Sequence, residues 1–130
     1  MTAMVKPVAA ISFLYDVSAG AALLVFPSVL PLWFAIALPE PRFFLPLNGL
    51  FLLAVGAGYL LPYRDPRRYR SYLWVFGVGL KTAGAVVFAV EYLRQGEPAA
   101  MLLFAAGDGV MAALSLAALT GSRAEIWRPS

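Results

Sequence analysis

Four stretches of this chain, residues 8–26, 43–61, 72–92 and 99–119, are apolar almost from end to end. Each is about 20 residues long, the length a helix needs to cross a hydrocarbon layer of about 30 Å. Lipid offers no water to backbone N–H and C=O groups, so such a segment must satisfy them internally, as a helix does. The alternative is a soluble bundle of four buried helices. Helices of that kind keep a polar face for water, and these four have almost none. Composition agrees: 62% of the 130 residues are hydrophobic and 13% are charged, with a mean hydropathy of +0.79. A soluble domain is about half apolar and about a quarter charged. The expected fold is therefore all-α. Residues 1–130 form a single transmembrane domain, an integral membrane four-helix bundle running up-down-up-down.

The connectors are short and well punctuated. The first holds Pro27, Pro31, Pro39 and Pro41, too many prolines to extend a helix cleanly. Its Trp33 and Phe34 suit a membrane–water interface. The second reads "PYRDPRRYR". Asp65 is an N-cap type and Pro66 a first-helical-residue type, which starts the third helix early. In "RQGEP", Gly96 is a helix stop and Pro98 the next start. The expected helices are 8–26, 43–61, 66–92 and 98–119. The N-terminal run resembles a signal peptide, with small residues at Ser18–Ala21, but Asp16 interrupts it. A retained helix is expected.

Basic residues set the orientation. Lys6, Arg64, Arg67, Arg68, Arg70, Arg123 and Arg128 fall on one side, and Arg42 and Arg94 on the other. Both termini are expected to be cytoplasmic, with the chain multi-pass in the cell inner (cytoplasmic) membrane. The net charge of +3 lies mostly in these connectors, so no nucleic-acid partner is expected. Arg64, Arg67, Arg68 and Arg70 are candidates for lipid headgroups, although setting topology explains them as well. There is no cysteine and no histidine. That excludes disulfides, thiol redox chemistry, zinc fingers and histidine-ligated haem, so no metal site is expected.

Each apolar segment carries one strongly polar residue: Asp16, Asn48, Lys81 and Asp108. At about 1.5 Å per residue, Asp16, Lys81 and Asp108 lie about 12, 13 and 16 Å from the cytoplasmic ends of their helices, and Asn48 about 19 Å. The first three share a level near the midplane. A lone lysine there costs a few kcal/mol or more, so it should face the bundle and pair with Asp16 or Asp108. Two carboxylates and one ammonium leave a formal excess of one negative charge. Such a group can relay a proton or hold a polar ligand head. It can also be a structural ion-pair lock. Helical spacing places Trp74, Gly77, Gly84 and Phe88 around Lys81, and Phe104, Met111, Ala112 and Ser115 around Asp108. Ser12, Gly20 and Leu23 flank Asp16, while Phe44, Leu52 and Tyr59 flank Asn48. Tyr15, Tyr59, Trp74, Phe88 and Phe104 are the candidate walls of a lipophilic pocket; they suit plain packing equally. The pairs Gly56/Gly58, Gly77/Gly79 and Gly107/Gly109 are expected to serve close helix packing. Lys81 with an Asp counter-ion meets the minimum for a Schiff-base site, but nothing else supports a retinal pocket.

"YD" at Tyr15–Asp16 with Gly20, "GAGY" at 56–59, "RDPxxY" at 64–69, Lys81, and "GD" at Gly107–Asp108 resemble small bacterial DoxX-like four-helix membrane proteins over nearly the whole chain. Some of those relatives are linked to quinone-dependent thiosulfate oxidation, so the resemblance implies a quinone or an accessory-subunit role. Asp16, Trp74 and "GVG" at 77–79 are also similar to the small multidrug antiporters. Lys81 departs from that pattern, because a fixed positive charge opposes cationic substrates.

The expected function is binding of a small lipophilic molecule, a quinone or lipid, at the midplane polar residues. The chain would then act as an accessory subunit, in a homo-oligomer or a larger membrane complex. No cofactor is required. The alternative is a proton-coupled small-molecule transporter acting as an oligomer. A third is an integral membrane isomerase with Asp16 or Asp108 as acid or base. No catalytic residue is assigned.

Overall fold

The computed structural model describes the backbone of residues 4–38, 40–96 and 98–126, and the side chains of these through Gly121. Among the described residues there are helices and no strands: α1 (Val5–Val25), α2 (Val29–Phe34), α3 (Phe44–Arg64), α4 (Arg70–Gln95) and α5 (Ala100–Ile126). Four of them, α1, α3, α4 and α5, are long and apolar enough to cross a membrane. Pro39, Arg128 and the first three residues, among the features read from the sequence, lie outside the described residues, as does the Arg123 side chain.

Proline placement explains several local choices. Pro7, Pro31 and Pro46 each stand third in their helix. The N–H groups of a first turn have no intrahelical partner, so a proline there loses nothing. This is why the proline-rich first connector, not expected to be helical, contains α2. That helix ends on Ala35, whose φ of 55° is left-handed. Pro62 has the opposite effect. It stands inside α3 and cannot donate to Gly58, and the ladder shifts at Tyr59, whose N–H bonds back to Gly56 O at 3.0 Å. Val55 O is thereby released by Tyr59 and accepts the Tyr72 hydroxyl from α4.

The second connector departs from expectation. Asp65 caps a turn: its Oδ1 accepts the Arg68 N–H at 3.2 Å and its carbonyl accepts Tyr69 N–H at 3.1 Å. The turn does not propagate. Tyr69 leaves helical geometry at φ −106°, ψ 26°, and α4 begins at Arg70 rather than Pro66. Residues Leu73–Leu80 of α4 then form a π-helical stretch, a wider coil with i→i+5 hydrogen bonds. The α-helix resumes at Lys81 and stops where expected. Gly96 adopts φ 73°, and its N–H bonds Tyr92 O at 2.7 Å.

Packing between helices uses small residues, which let backbones approach closely. A Cβ on Gly20 would lie 2.6 Å from Gly49 O, and one on Gly49 2.9 Å from Gly20 O, so α1 and α3 cross almost backbone to backbone. Gly56 meets Val17 and Asp16 further along, so these two helices run antiparallel. Helices α4 and α5 are also antiparallel, with Gly77 against Ser115 and Gly84 against Asp108. Toward the start of α1, Val5, Val8, Ala9, Leu73, Ala118 and Leu119 form an apolar layer.

Candidate functional site

Lys81 stands where the π-helical stretch gives way to α-helix, and it is only 4% exposed. Its ammonium pairs with Asp16 Oδ1 of α1. Asp108 Oδ1 of α5 lies 4.0 Å from the same nitrogen. Tyr15 completes the group. Its ring centroid is 4.7 Å from Lys81 Nζ, and its hydroxyl donates to Asp108 Oδ1 at 3.4 Å. The two carboxylates differ in how they are held. Asp16 is fully enclosed and directly paired; Asp108 retains 14% side-chain exposure and has two long contacts. Asp108 is the arm of the group that can most readily exchange partners.

Glycines on facing helices make room for these polar groups. The Asp108 carboxylate rests on Gly84. The Tyr15 hydroxyl lies 2.7 Å from where a Gly107 Cβ would be, and Ser115 Oγ lies 2.6 Å from the Gly77 equivalent. Close packing, the meaning expected for the paired glycines, holds at Gly56, at Gly58 against the Tyr72 ring, at Gly77 and at Gly107. Gly109 has nothing within 4 Å.

A second layer of polar atoms adjoins the charges. Ser12 Oγ, Asp16 Oδ2, Tyr59 OH and Ser115 Oγ are all buried and hydrogen-bond to no protein atom. Ser12 is one turn before Asp16 on the same buried face of α1. Ser115 packs on Gly77, one turn before Lys81. Tyr59 is about one turn beyond Gly56, which packs on Asp16. Hydroxyls from three helices thus sit between the charged group and the apolar layer. An unsatisfied buried polar group costs about 1–3 kcal/mol, and such groups are uncommon enough in native proteins to call for a reason. With the ammonium, they provide donors and acceptors for a guest that has a hydroxyl or carbonyl head.

Of the residues selected from the sequence, Tyr15, Asp16, Lys81 and Asp108 come together, and Tyr59 joins them in the hydroxyl layer. Phe88 and Phe104 stack at 5.4 Å, one helical turn from Gly84 and Asp108, and Phe34 of α2 packs on Phe104 at 5.1 Å. Asn48 is not brought in: its side chain is exposed on α3. Trp74 is 39% exposed and also faces outward. Tyr72, not singled out from the sequence, meets Tyr59 edge-on at 5.2 Å. Only its position at a span boundary could have flagged it. Arg64, Arg67 and Arg68 are exposed around the second connector, and Arg70 donates to Leu119 O. Two surface cavities, of about 180 and 220 Å³, are lined by neither Asp16, Lys81 and Asp108 nor the aromatic residues selected from the sequence. No family model, no curated protein and no solved structure matches this chain.

Proposed function

We propose that the chain is a multi-pass protein of the cytoplasmic membrane, with both termini cytoplasmic, that binds a small lipophilic molecule with a polar head. A quinone or a lipid fits this description, and the protein would act as a binding or accessory subunit. The observation that carries the reading is the set of buried, unpartnered polar atoms beside Lys81. A head entering past Asp108 takes a hydrogen bond from Lys81 or Tyr15. A donor on it is accepted by Asp16 Oδ2 or Asp108. The tail lies along the Phe34, Phe88 and Phe104 cluster. Membership of the DoxX-like proteins is part of this proposal, since Tyr15–Asp16, Lys81 and Gly107–Asp108, which carry that resemblance, meet at one place. The test is to purify the protein in mild detergent and identify retained lipids and quinones by mass spectrometry. Asp108→Asn, with an unchanged melting temperature, is expected to retain about tenfold less of the ligand, equivalent to about 1.4 kcal/mol of binding. Equal retention by wild type and variant overturns the reading.

One observation favours the transporter alternative: the surplus carboxylate, Asp108, is also the more accessible one. Coupling requires a carboxyl that exchanges protons with substrate. Uptake into liposomes that is driven by a pH gradient and abolished by Asp108→Asn as well as by Asp16→Asn would replace the binding reading with this one.

Orientation has its own test, resting on the seven-to-two division of basic residues. Ser71 and Gln95, both exposed, flank opposite ends of α4. Ser71→Cys is expected to react with a membrane-impermeant maleimide only from the cytoplasmic side, and Gln95→Cys only from the other. Labelling of Gln95→Cys from the cytoplasm reverses the proposed orientation.

A further inference from the structure

Away from the charged group, a groove of about 220 Å³ runs between α1 and the last turn of α3. Its walls are apolar. Ala9, Ala10, Phe13 and Leu14 line it from α1, and Leu60 and Tyr63 flank it from α3. Its other end is cationic. Lys6 lies one turn before Ala10, its Nζ 5.9 Å from the centroid of the Tyr63 ring. The attraction of an ammonium for an aromatic face holds that charge at the mouth of the groove. Arg64 follows Tyr63 at the end of α3. From Lys6 to Leu14 the helix rises about 12 Å at about 1.5 Å per residue.

We propose that this groove is a binding site for one anionic phospholipid, with an acyl chain lying along Ala9, Ala10, Phe13 and Leu60 and the phosphate held by Lys6 beside Tyr63. Two features select this occupant. The groove is apolar along its length and positive at one end only, which matches a molecule with an oily tail and an anionic head. The positive end also lies with the basic second connector, at the level where anionic headgroups concentrate in a cytoplasmic leaflet. Ala9 and Ala10 keep the α1 wall of the groove low, and a lysine stem can lie on apolar surface while its charge reaches the headgroup. None of these residues belongs to the Asp16–Lys81–Asp108 group, so the inference does not depend on the ligand proposed above; it takes from that reading only the orientation with the termini in the cytoplasm.

The test is native mass spectrometry of the full-length protein released from mixed micelles containing equal amounts of phosphatidylglycerol and phosphatidylcholine with identical chains. Wild type is expected to retain one phosphatidylglycerol in about tenfold preference, equivalent to about 1.4 kcal/mol. Lys6→Gln should lose the preference and Lys6→Arg should keep it. Ala10→Phe, which fills the groove, should abolish retention of either lipid at this stoichiometry. Arg94→Gln removes the same charge from an exposed position at the far end of α4 and should leave the preference intact. An equal loss with Arg94→Gln means a diffuse charge effect and overturns the site. So does displacement of the lipid by glycerol phosphate alone, or a wild-type dimer that carries no lipid. If Ala10→Phe fails to fold, Lys6→Gln decides: a preserved preference refutes the proposal.

Discussion

Lys81→Met is expected to destabilise the protein by about 3–5 kcal/mol, the range for removing one partner of a buried ion pair. The variant leaves Asp16, fully enclosed, without its counter-charge, and leaves Asp108 with only the Tyr15 hydroxyl. Pairing it with Asp16→Asn should restore much of the loss, because a neutral amide replaces the stranded carboxylate. Contacting residues give coupling energies of about 0.5–3 kcal/mol in such cycles, and the Asp16 cycle should fall in the upper part of that range. The Asp108 cycle should give less, since its carboxylate stands 4.0 Å from the ammonium. Unfolding in mixed micelles, followed by circular dichroism, measures both. Strict additivity with Asp16 would show that the two residues do not act as a pair. Ligand retention by the rescued double variant then separates two roles. A stable protein that still binds its ligand makes the ion pair an orientation lock; a stable protein that does not makes it part of the site.

The second large effect concerns the α1–α3 crossing. Gly20→Val should cost several kcal/mol and reduce yield. A β-carbon there meets Gly49 O at 2.6 Å and Leu53 N at 2.9 Å, both backbone atoms, and backbone cannot swing aside as a side-chain tip can. Overpacking generally costs about 1–3 kcal/mol, and a branched residue held against two backbone atoms should reach or exceed that upper end. Gly109→Ala is the matched control, because nothing lies within 4 Å of its added methyl. It should fold as wild type does, or slightly better, since alanine has the higher helix propensity. Equal thermal stability of Gly20→Val and Gly109→Ala would mean that the crossing is not close.

The spans were legible because hydrophobic length alone defines them, and the stop at Gly96 because only glycine readily takes its φ of 73°. Relative height along the bundle was legible as well. Counting along each helix put Asp16, Lys81 and Asp108 at one level, and their side chains meet. Rotation about each helix axis was not. In a soluble helix the apolar stripe reveals the inner face; here nearly every face is apolar, so nothing in the sequence showed that Asn48 and Trp74 point outward. The π-helical stretch before Lys81 has no composition signal beyond its two glycines. Helix α2 was hidden by Pro31, whose meaning depends on whether it stands third in a helix or in its middle. Pro66 was misleading for a related reason: the Asp65 cap closed its turn, but Tyr69 left helical geometry before a second turn could form.

Gly77, Gly84 and Gly107 also bear on how the charged group is encoded. Each lies opposite a polar side chain from a neighbouring helix: Ser115, Asp108 and Tyr15. The hydroxyls and carboxylate occupy volume that a methyl group at those positions would claim. On helices bearing alanine there, Ser115, Asp108 and Tyr15 would be pushed back by roughly the width of that methyl, and Asp108 and Tyr15 would move away from Lys81. The chemical identity of this site is therefore written partly in side chains that are missing, three empty places on two helices that let three polar groups from their neighbours reach the interior.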